Sequence, residues 1–390
     1  MTRRVSFERA FKVVAGKRRL APSALRRFFR VGYETLIYYH SLRLLARREG
    51  FNQTPFGIAS YLASRKFDFD AVRREIESYA DRLGGLEGLA VKYGYTPFIV
   101  HRLSEFMDEG ELEEVLGSLN TRKRWLRVNT LAATVKEAVD CLVKHGLRFE
   151  ASKYTDLSYK ILGDVYSPVS SIECVEKGIL VPQDVSSVLS VLAGRPYERS
   201  VLDACSAPGV KLQLVLSLYR DSTAVAVDYS PKRVKYVYRV LSKYGGLDRA
   251  VIINGDSTIV DYYRVFEKAI VDAPCTGSGA VYSDPTVKVR FSPAKLKSLT
   301  KIQTRLLRRA LANSRSVLYI TCSVLPEEGE AVVDEVLREG LAEPVRISEK
   351  FLSKAYKGFK SSDYTYRIMP NVVDGQGMYL ALLDSRVFSG

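Results

Sequence analysis

The sequence predicts an α/β protein whose carboxyl-terminal half is a parallel sheet covered by helices, preceded by a helical segment and a small α+β module. Three observations carry this. Between residues 181 and 390, strand-like runs alternate with helical periodicities, the pattern of a sheet with helices on both faces. The run Val201-Leu202-Asp203 leads into the small-residue turn Ala204-Cys205-Ser206-Ala207-Pro208-Gly209 and then a helix that starts near Pro208. The next strand, Ala224 to Asp228, ends in a carboxylate nineteen residues after Gly209, where an acid can accept hydrogen bonds from ribose hydroxyls.

Upstream, residues 5 to about 108 read as helices. Phe7, Phe11 and Val14 share one face, Pro22 opens a second helix, and further helical runs span 42–46, 58–62, 71–83 and 97–107. Arg18, Arg19, Arg26, Arg27 and Arg30 sit among aromatics, which is either a phosphate-contacting face or a solvated helix surface. Residues 111–119 continue as a short helix. Strands at 124–130, 147–151 and 159–162 surround a helix at 135–145, which Thr134 and Glu137 begin as a capping box. Within the α/β half, 251–256 and 268–272 are strands ending in Asp256 and Asp272, 316–322 is a fifth strand, and 378–383 the last. Asp228, Asp256, Asp272 and Cys322 thus fall at strand ends, the edge where such sheets bind ligands.

Composition narrows the classes. The chain has 390 residues, 46% of them hydrophobic, which suits a globular protein of two or three domains. No apolar run reaches the roughly eighteen residues of a membrane span, and the basic amino terminus lacks a signal core, so a cytoplasmic protein is expected. Five cysteines without a C-x-x-C pair, and three histidines, lead us to expect neither a zinc site nor a disulfide framework. The formal charge is +15. It is clustered: residues 1–50 hold thirteen Lys/Arg against three acids, and residues 284–315 hold nine against one. A polyanion such as nucleic acid is the implied partner.

The turn has one glycine, so it fits neither a dinucleotide fingerprint nor a phosphate loop. It permits a nucleoside cofactor without phosphate, such as S-adenosylmethionine. Asp272-Ala273-Pro274-Cys275 and Thr321-Cys322-Ser323 bring two cysteines to the same sheet edge. A populated thiolate there is a strong nucleophile, and Lys211, Lys288 and Arg290 would favour it; two structural thiols are the alternative.

With these motifs the chain resembles the RNA cytosine-5 methyltransferases of the Nol/Nop/Sun (Fmu) type. The resemblance covers almost the whole chain, through Arg127-Val128-Asn129-Thr130-Leu131, Gln183-Asp184, Asp203 to Lys211, Asp272 to Cys275, Thr321-Cys322-Ser323 with Pro326 and Glu328, and Asp374-Gly375-Gln376-Gly377. It implies a Rossmann-like S-adenosylmethionine-dependent methyltransferase domain (181–390) preceded by an all-helical NusB-like bundle (1–110) and a small α+β, RRM-like module (111–180). It also implies Cys322 as nucleophile, Asp272 as support for protonation of the base, and Cys275 as assistant in release. Cys205, Ser206, Ala207, Pro208, Gly209, Val210 and Lys211, with Asp228, Arg233, Asp256 and Asp272, would hold S-adenosylmethionine. Lys288, Arg290, Arg26 and Arg27 are expected on RNA, ribosomal RNA ahead of transfer RNA, and no metal is expected. A monomer is expected. Three departures stand out: Val210 where glycine is usual, which questions the turn geometry, Ser206 where alanine is usual, and Gly329 where asparagine is common. The competing readings are a non-catalytic RNA-binding assembly factor, which would need none of Cys322, Cys275 and Asp272, and a DNA cytosine methyltransferase, where a second cysteine like Cys322 is not expected.

Overall fold

The computed structural model describes residues 6–16, 21–163, 166, 169–197 and 199–388. Arg18 and Arg19 lie outside the described residues. The chain forms two compact units, one of residues 1–122 with 280–292 and one of 123–279 with 293–390.

The first unit is helical. Its helices span Phe7–Ala15, Pro22–Ile37, Tyr39–Arg48, Pro55–Ser64, Phe69–Leu83, Gly85–Tyr93, Pro97–Ser104 and Glu109–Asn120. Local chemistry starts them: Pro22, Pro55 and Pro97 occupy first-turn positions, and the side chains of Thr54, Asp68 and Asp108 accept from free first-turn N–H groups. Leu42, Ile58, Tyr61, Val72 and Ile76 form a buried core. The sequence reading ended this domain at 110; the structure ends it at 122, because Glu109–Asn120 buries Leu112, Val115, Leu116 and Leu119 within the bundle. The short helix Thr286–Arg290, far along the chain, also belongs to this unit.

The second unit holds two sheets. The smaller has order β2-β3-β1-β4, antiparallel throughout, from β1 (Trp125–Val128), β2 (Phe149–Ala151), β3 (Ser158–Ile161) and β4 (Leu180–Pro182). The capping box of Thr134 and Glu137 starts the helix Val135–Lys144 as expected. One disulfide, Cys141–Cys174, joins that helix to the helix Glu173–Glu176, which corrects the expectation of no disulfide. The two cysteines are 33 residues apart, a separation with no motif to announce it.

The larger sheet has nine strands. Its members are β5 (Ser200–Asp203), β6 (Thr223–Asp228), β7 (Ala250–Asn254), β8 (Phe266–Asp272), β9 (Ser314–Thr321), β10 (Ala342–Val345), β11 (Ser353–Lys354), β12 (Tyr366–Ile368) and β13 (Met378–Ser385). The order is β11-β12-β13-β9-β8-β5-β6-β7, with β10 on β13. Strands β7, β6, β5, β8 and β9 run parallel, but β13 runs antiparallel to β9 and to β12. The fully parallel expectation is corrected at this edge. The connection from β12 to β13 (residues 369–377) is shorter than the dozen or more residues a parallel crossover needs.

Candidate active site

The carboxyl ends of β5, β6, β8 and β9 converge on one edge, and the site is built there. After β5, the turn passes through Gly209 at φ +100°, a conformation that favours glycine, and the helix Val210–Leu218 follows. A Cβ on Gly209 would also meet Val237 at 3.2 Å. The helix therefore starts at Val210, with Pro208 outside it, and Val210 has ordinary helical geometry. That removes the doubt the Val210 departure raised, since the left-handed position is the retained glycine.

Asp228 ends β6, is 3% exposed, and accepts from the backbone of Ala207 at 3.3 Å and Ser230 at 2.9 Å. Arg233 lies 3.4 Å from Asp228 and donates to the Ala207 carbonyl at 2.6 Å, so it clamps the turn to the acid. Asp256 follows β7 and accepts from the Thr258 backbone N–H at 2.9 Å. Tyr229 and Ile259, which the sequence reading did not single out, are 77% and 73% exposed beside these two acids in the chain. Asp203 is buried; desolvation first, then the Asp272 charge, push its carboxyl up to about 7. Burial likewise raises the Cys205 thiol.

The reactive centre lies across β8 and β9. Asp272 ends β8 and accepts from Lys211 at 2.7 Å. Burial acts to lower Lys211, but Asp272 outweighs it and holds the ammonium above its usual value. The sulfurs of Cys275 and Cys322 are 2.7 Å apart. The hydrogen bond to Cys322, then burial, raise Cys275 well above the usual thiol range, so at neutral pH it is a thiol.

Among the supporting residues, Glu328 and Arg127 belong to the motifs quoted above, while Gln303 and Arg367 carry no sequence signal of their own. Glu328 is fully buried, accepts from the Thr276 N–H at 2.8 Å and from Gln303 at 3.0 Å, and has its carboxyl raised by burial. Gln303 also donates to the Pro274 carbonyl at 2.9 Å, so Glu328 and Gln303 together hold the loop that carries Cys275. Arg367, buried against Glu330 at 2.5 Å, donates to the Ser323 carbonyl at 3.2 Å and braces the loop after Cys322. A buried arginine two strands away in the sheet is not readable from spacing. Arg127 of the recognised motif is fully buried too, donates to Gln183 at 2.7 Å, and is lowered to about 9 by desolvation.

The expected RNA cations fare differently, and the structure corrects two of them. Lys288 is 2% exposed, and its ammonium donates to the carbonyl of Ile37 at 2.8 Å and to the Asn120 side chain at 2.7 Å, over the Tyr95 ring. It is a buried brace of the helical unit, since these two oxygens, the Tyr93 carbonyl and the ring replace water around it. Arg290 is paired with Asp284 at 2.7 Å. Arg26 and Arg27 are exposed. Neither Lys288 nor Arg290 belongs to the unit that holds the two cysteines.

Among the described residues, no helix is long and apolar enough to cross a membrane. The family model for the 16S rRNA methyltransferase RsmB/F matches residues 189–384. A 28S rRNA (cytosine-C(5))-methyltransferase of Mus musculus is 28% identical over 340 residues, covering 80% of this chain and 42% of its own length. Ribosomal RNA small subunit methyltransferase B of Photorhabdus laumondii is 27% identical over 270 residues, covering 67% of this chain and 59% of its own. The chain thus spans about half the length of the curated relatives it matches. The crystal structure of PH0851 shares the fold, with a TM-score of 0.77 and 20% identity over 96% of this chain and 93% of that one.

Proposed function

Since this chain belongs to the 16S rRNA methyltransferase RsmB/F family, we propose that it methylates carbon 5 of a cytosine in ribosomal RNA by covalent cysteine catalysis. The observation that carries this reading is the pair Cys322 and Cys275, 2.7 Å apart beside the Lys211–Asp272 ion pair. A scaffold protein needs no such pair.

Carbon 5 of cytosine is a poor nucleophile. Addition of the Cys322 thiolate to carbon 6 forms a C–S bond, opens the carbon 5–carbon 6 double bond and moves electrons toward carbon 5 and, through carbon 4, onto ring nitrogen 3. Asp272 supports protonation at ring nitrogen 3, which offsets charge growing in the adduct. S-adenosylmethionine, when bound, supplies the methyl group that the activated carbon 5 takes up. In release water takes the carbon 5 proton, the freed electrons restore the carbon 5–carbon 6 double bond, and the C–S bond breaks with its pair staying on the Cys322 sulfur. Cys275, a thiol at neutral pH, then donates a hydrogen bond to the departing Cys322 sulfur.

The donor set suits a nucleoside sulfonium cofactor. Asp228 and Asp256 are acids at strand ends that would take ribose and adenine, and the exposed faces of Tyr229 and Ile259 suit an adenine ring. The segment Cys205 to Lys211 would take the methionine end, with Arg233 fixing it through Ala207. We read the helical unit as NusB-like and the four-stranded module as RRM-like within the same proposal.

A cytosine stacked in a helix must be extruded to reach a thiol, at a cost of a few kcal/mol, so a loop or single-stranded target is the cheaper substrate. The test is transfer of labelled methyl from S-adenosylmethionine to size-fractionated total RNA, with wild type and Cys322→Ala in parallel. Label in ribosomal RNA, absent with the variant, is the expected result. Label in transfer RNA would move the substrate, and none in any RNA despite cofactor binding would favour an assembly factor.

A further inference from the structure

We propose that the exposed face of the helix Pro231–Tyr244 is the catalytic unit's docking surface for substrate RNA outside the target base. The inference rests on the RNA-methylating reading above. The helix reads PKRVKYVYRVLSKY and contains no carboxylate. Val237, Leu241 and Tyr244 are buried, while Lys232, Lys235, Tyr236, Arg239 and Lys243 recur at helical spacing on the solvent side and are all exposed. Tyr238, 56% exposed, flanks that stripe.

Three features single this face out. First, its charges are unmatched. Among the described residues, Lys232, Lys235, Arg239 and Lys243 have no carboxylate partner in ion-pair range. On the basic helix Pro293–Leu311 the charge is partly matched: Arg308 pairs with Glu335 at 2.7 Å and with Glu339, and Arg309 pairs with Asp261. Second, the arrangement opposes helix stability. Lys232, Arg233 and Lys235 stand at the positive end of the helix dipole with no acid in the first turn, and Lys235, Arg239 and Lys243 repel at four-residue spacing. A polyanion along the stripe removes both penalties. Third, the location suits the substrate. The helix starts three residues after Asp228, and Arg233 reaches back to the Ala207 carbonyl, so the stripe leads away from the site for about 16 Å. Lysines and an arginine match phosphates, and exposed tyrosines match unstacked bases, the combination that holds single-stranded nucleic acid.

The test is binding of a fluorescein-labelled, cytosine-containing single-stranded RNA across a salt series. The variants are Lys235→Ala/Arg239→Ala/Lys243→Ala, Tyr238→Ala and, as a control, Arg308→Ala. The triple variant is expected to bind at least tenfold more weakly at moderate salt and to lower the steepness of log K against log salt by about 2, at roughly 0.7 per lost phosphate contact. Tyr238→Ala should weaken binding several-fold with the slope unchanged, and Arg308→Ala should change neither. In methyl transfer, the triple variant should raise KM for RNA while kcat and cofactor affinity stay. An unchanged slope in the triple variant, or an equal loss in the control, overturns the assignment. So does a face that binds polyglutamate and not RNA, which would make an acidic polypeptide its occupant. Wild type that binds RNA with the predicted variant pattern but transfers no methyl would leave this face standing and bring down the proposed reaction instead.

Discussion

Gly279 and Gly377 tie two distant loops together at the backbone. The N–H of Gly377 donates to the carbonyl of Gly279 at 2.9 Å, and the N–H of Gly279 donates to the carbonyl of Cys322 at 3.0 Å. A Cβ on Gly279 would fall onto the Gly377 carbonyl, and one on Gly377 would press on Val324. The carboxyl-terminal Asp374-Gly375-Gln376-Gly377 motif thereby sets where Cys322 stands.

Gly279→Ala is expected to lower methyl transfer by one to two orders of magnitude. It should leave cofactor binding intact, because Asp228, Asp256 and the Gly209 turn are elsewhere. Forcing a methyl group into a backbone contact costs about 1–3 kcal/mol, so the melting point should drop by only a few degrees. Full activity in Gly279→Ala would mean the loop contact does not position the cysteine.

The two cysteines should separate by trapping. Cys275→Ala is expected to accumulate an RNA–protein adduct stable in denaturing gels, because release loses its hydrogen-bond donor after the bond to Cys322 has formed. Cys322→Ala should form no adduct. The reverse pattern would exchange the two roles.

The legible part of this protein is the part built from local sequence. Cys275 and Cys322 follow β8 and β9, which are adjacent parallel strands, so their meeting follows once each strand is seen to end in a motif. The capping box at Thr134, the acids ending β6 and β8, and the turn at Gly209 are readable for the same reason. Lys288 was not. Its charge reads as surface, and only the helices carrying Ile37 and Tyr93 with Asn120 beside them bury it, partners nearly 170 to 250 residues away. Glu330 with Arg367 and Cys141 with Cys174 are hidden in the same way, since their pairing is decided by packing.

Lys288→Met therefore tests stability more than RNA binding. The substitution takes the Lys288 donor from the Ile37 carbonyl and the Asn120 side-chain oxygen, while the Tyr93 carbonyl keeps the Asn120 amide as a donor. Buried groups that lose a partner cost about 1–3 kcal/mol each, so a clear fall in the melting point is expected. The salt dependence of RNA affinity should match wild type. A flattened slope at unchanged stability would return Lys288 to the RNA face.

Reduction of the Cys141–Cys174 bond should also lower stability. Closing a loop of 33 residues restricts the unfolded chain by about 3–4 kcal/mol in the chain-entropy account. Cys141→Ser/Cys174→Ser should melt lower than wild type without reductant, and reductant should have no further effect on it. Equal melting of the two proteins under oxidising conditions would show that the bond does not form.

Asp203 gives a pH signature with a defined sign. Its carboxyl titrates near 7 in the folded protein, raised from an ordinary 3.8 mainly by burial. Between those values the folded state holds a proton that the unfolded chain has released. Stability linked to this group is thus complete below about pH 4, falls as pH rises, and levels off above about 7, a loss on the order of a few kcal/mol. Asp203→Asn keeps the shape and cannot ionise. It should flatten the unfolding free energy between pH 4 and 7 and be the more stable protein at pH 8. A wild-type profile that rises over that interval, or is unchanged by the substitution, would place the titrating proton elsewhere and leave Asp203 an ordinary charged carboxylate paired through the turn.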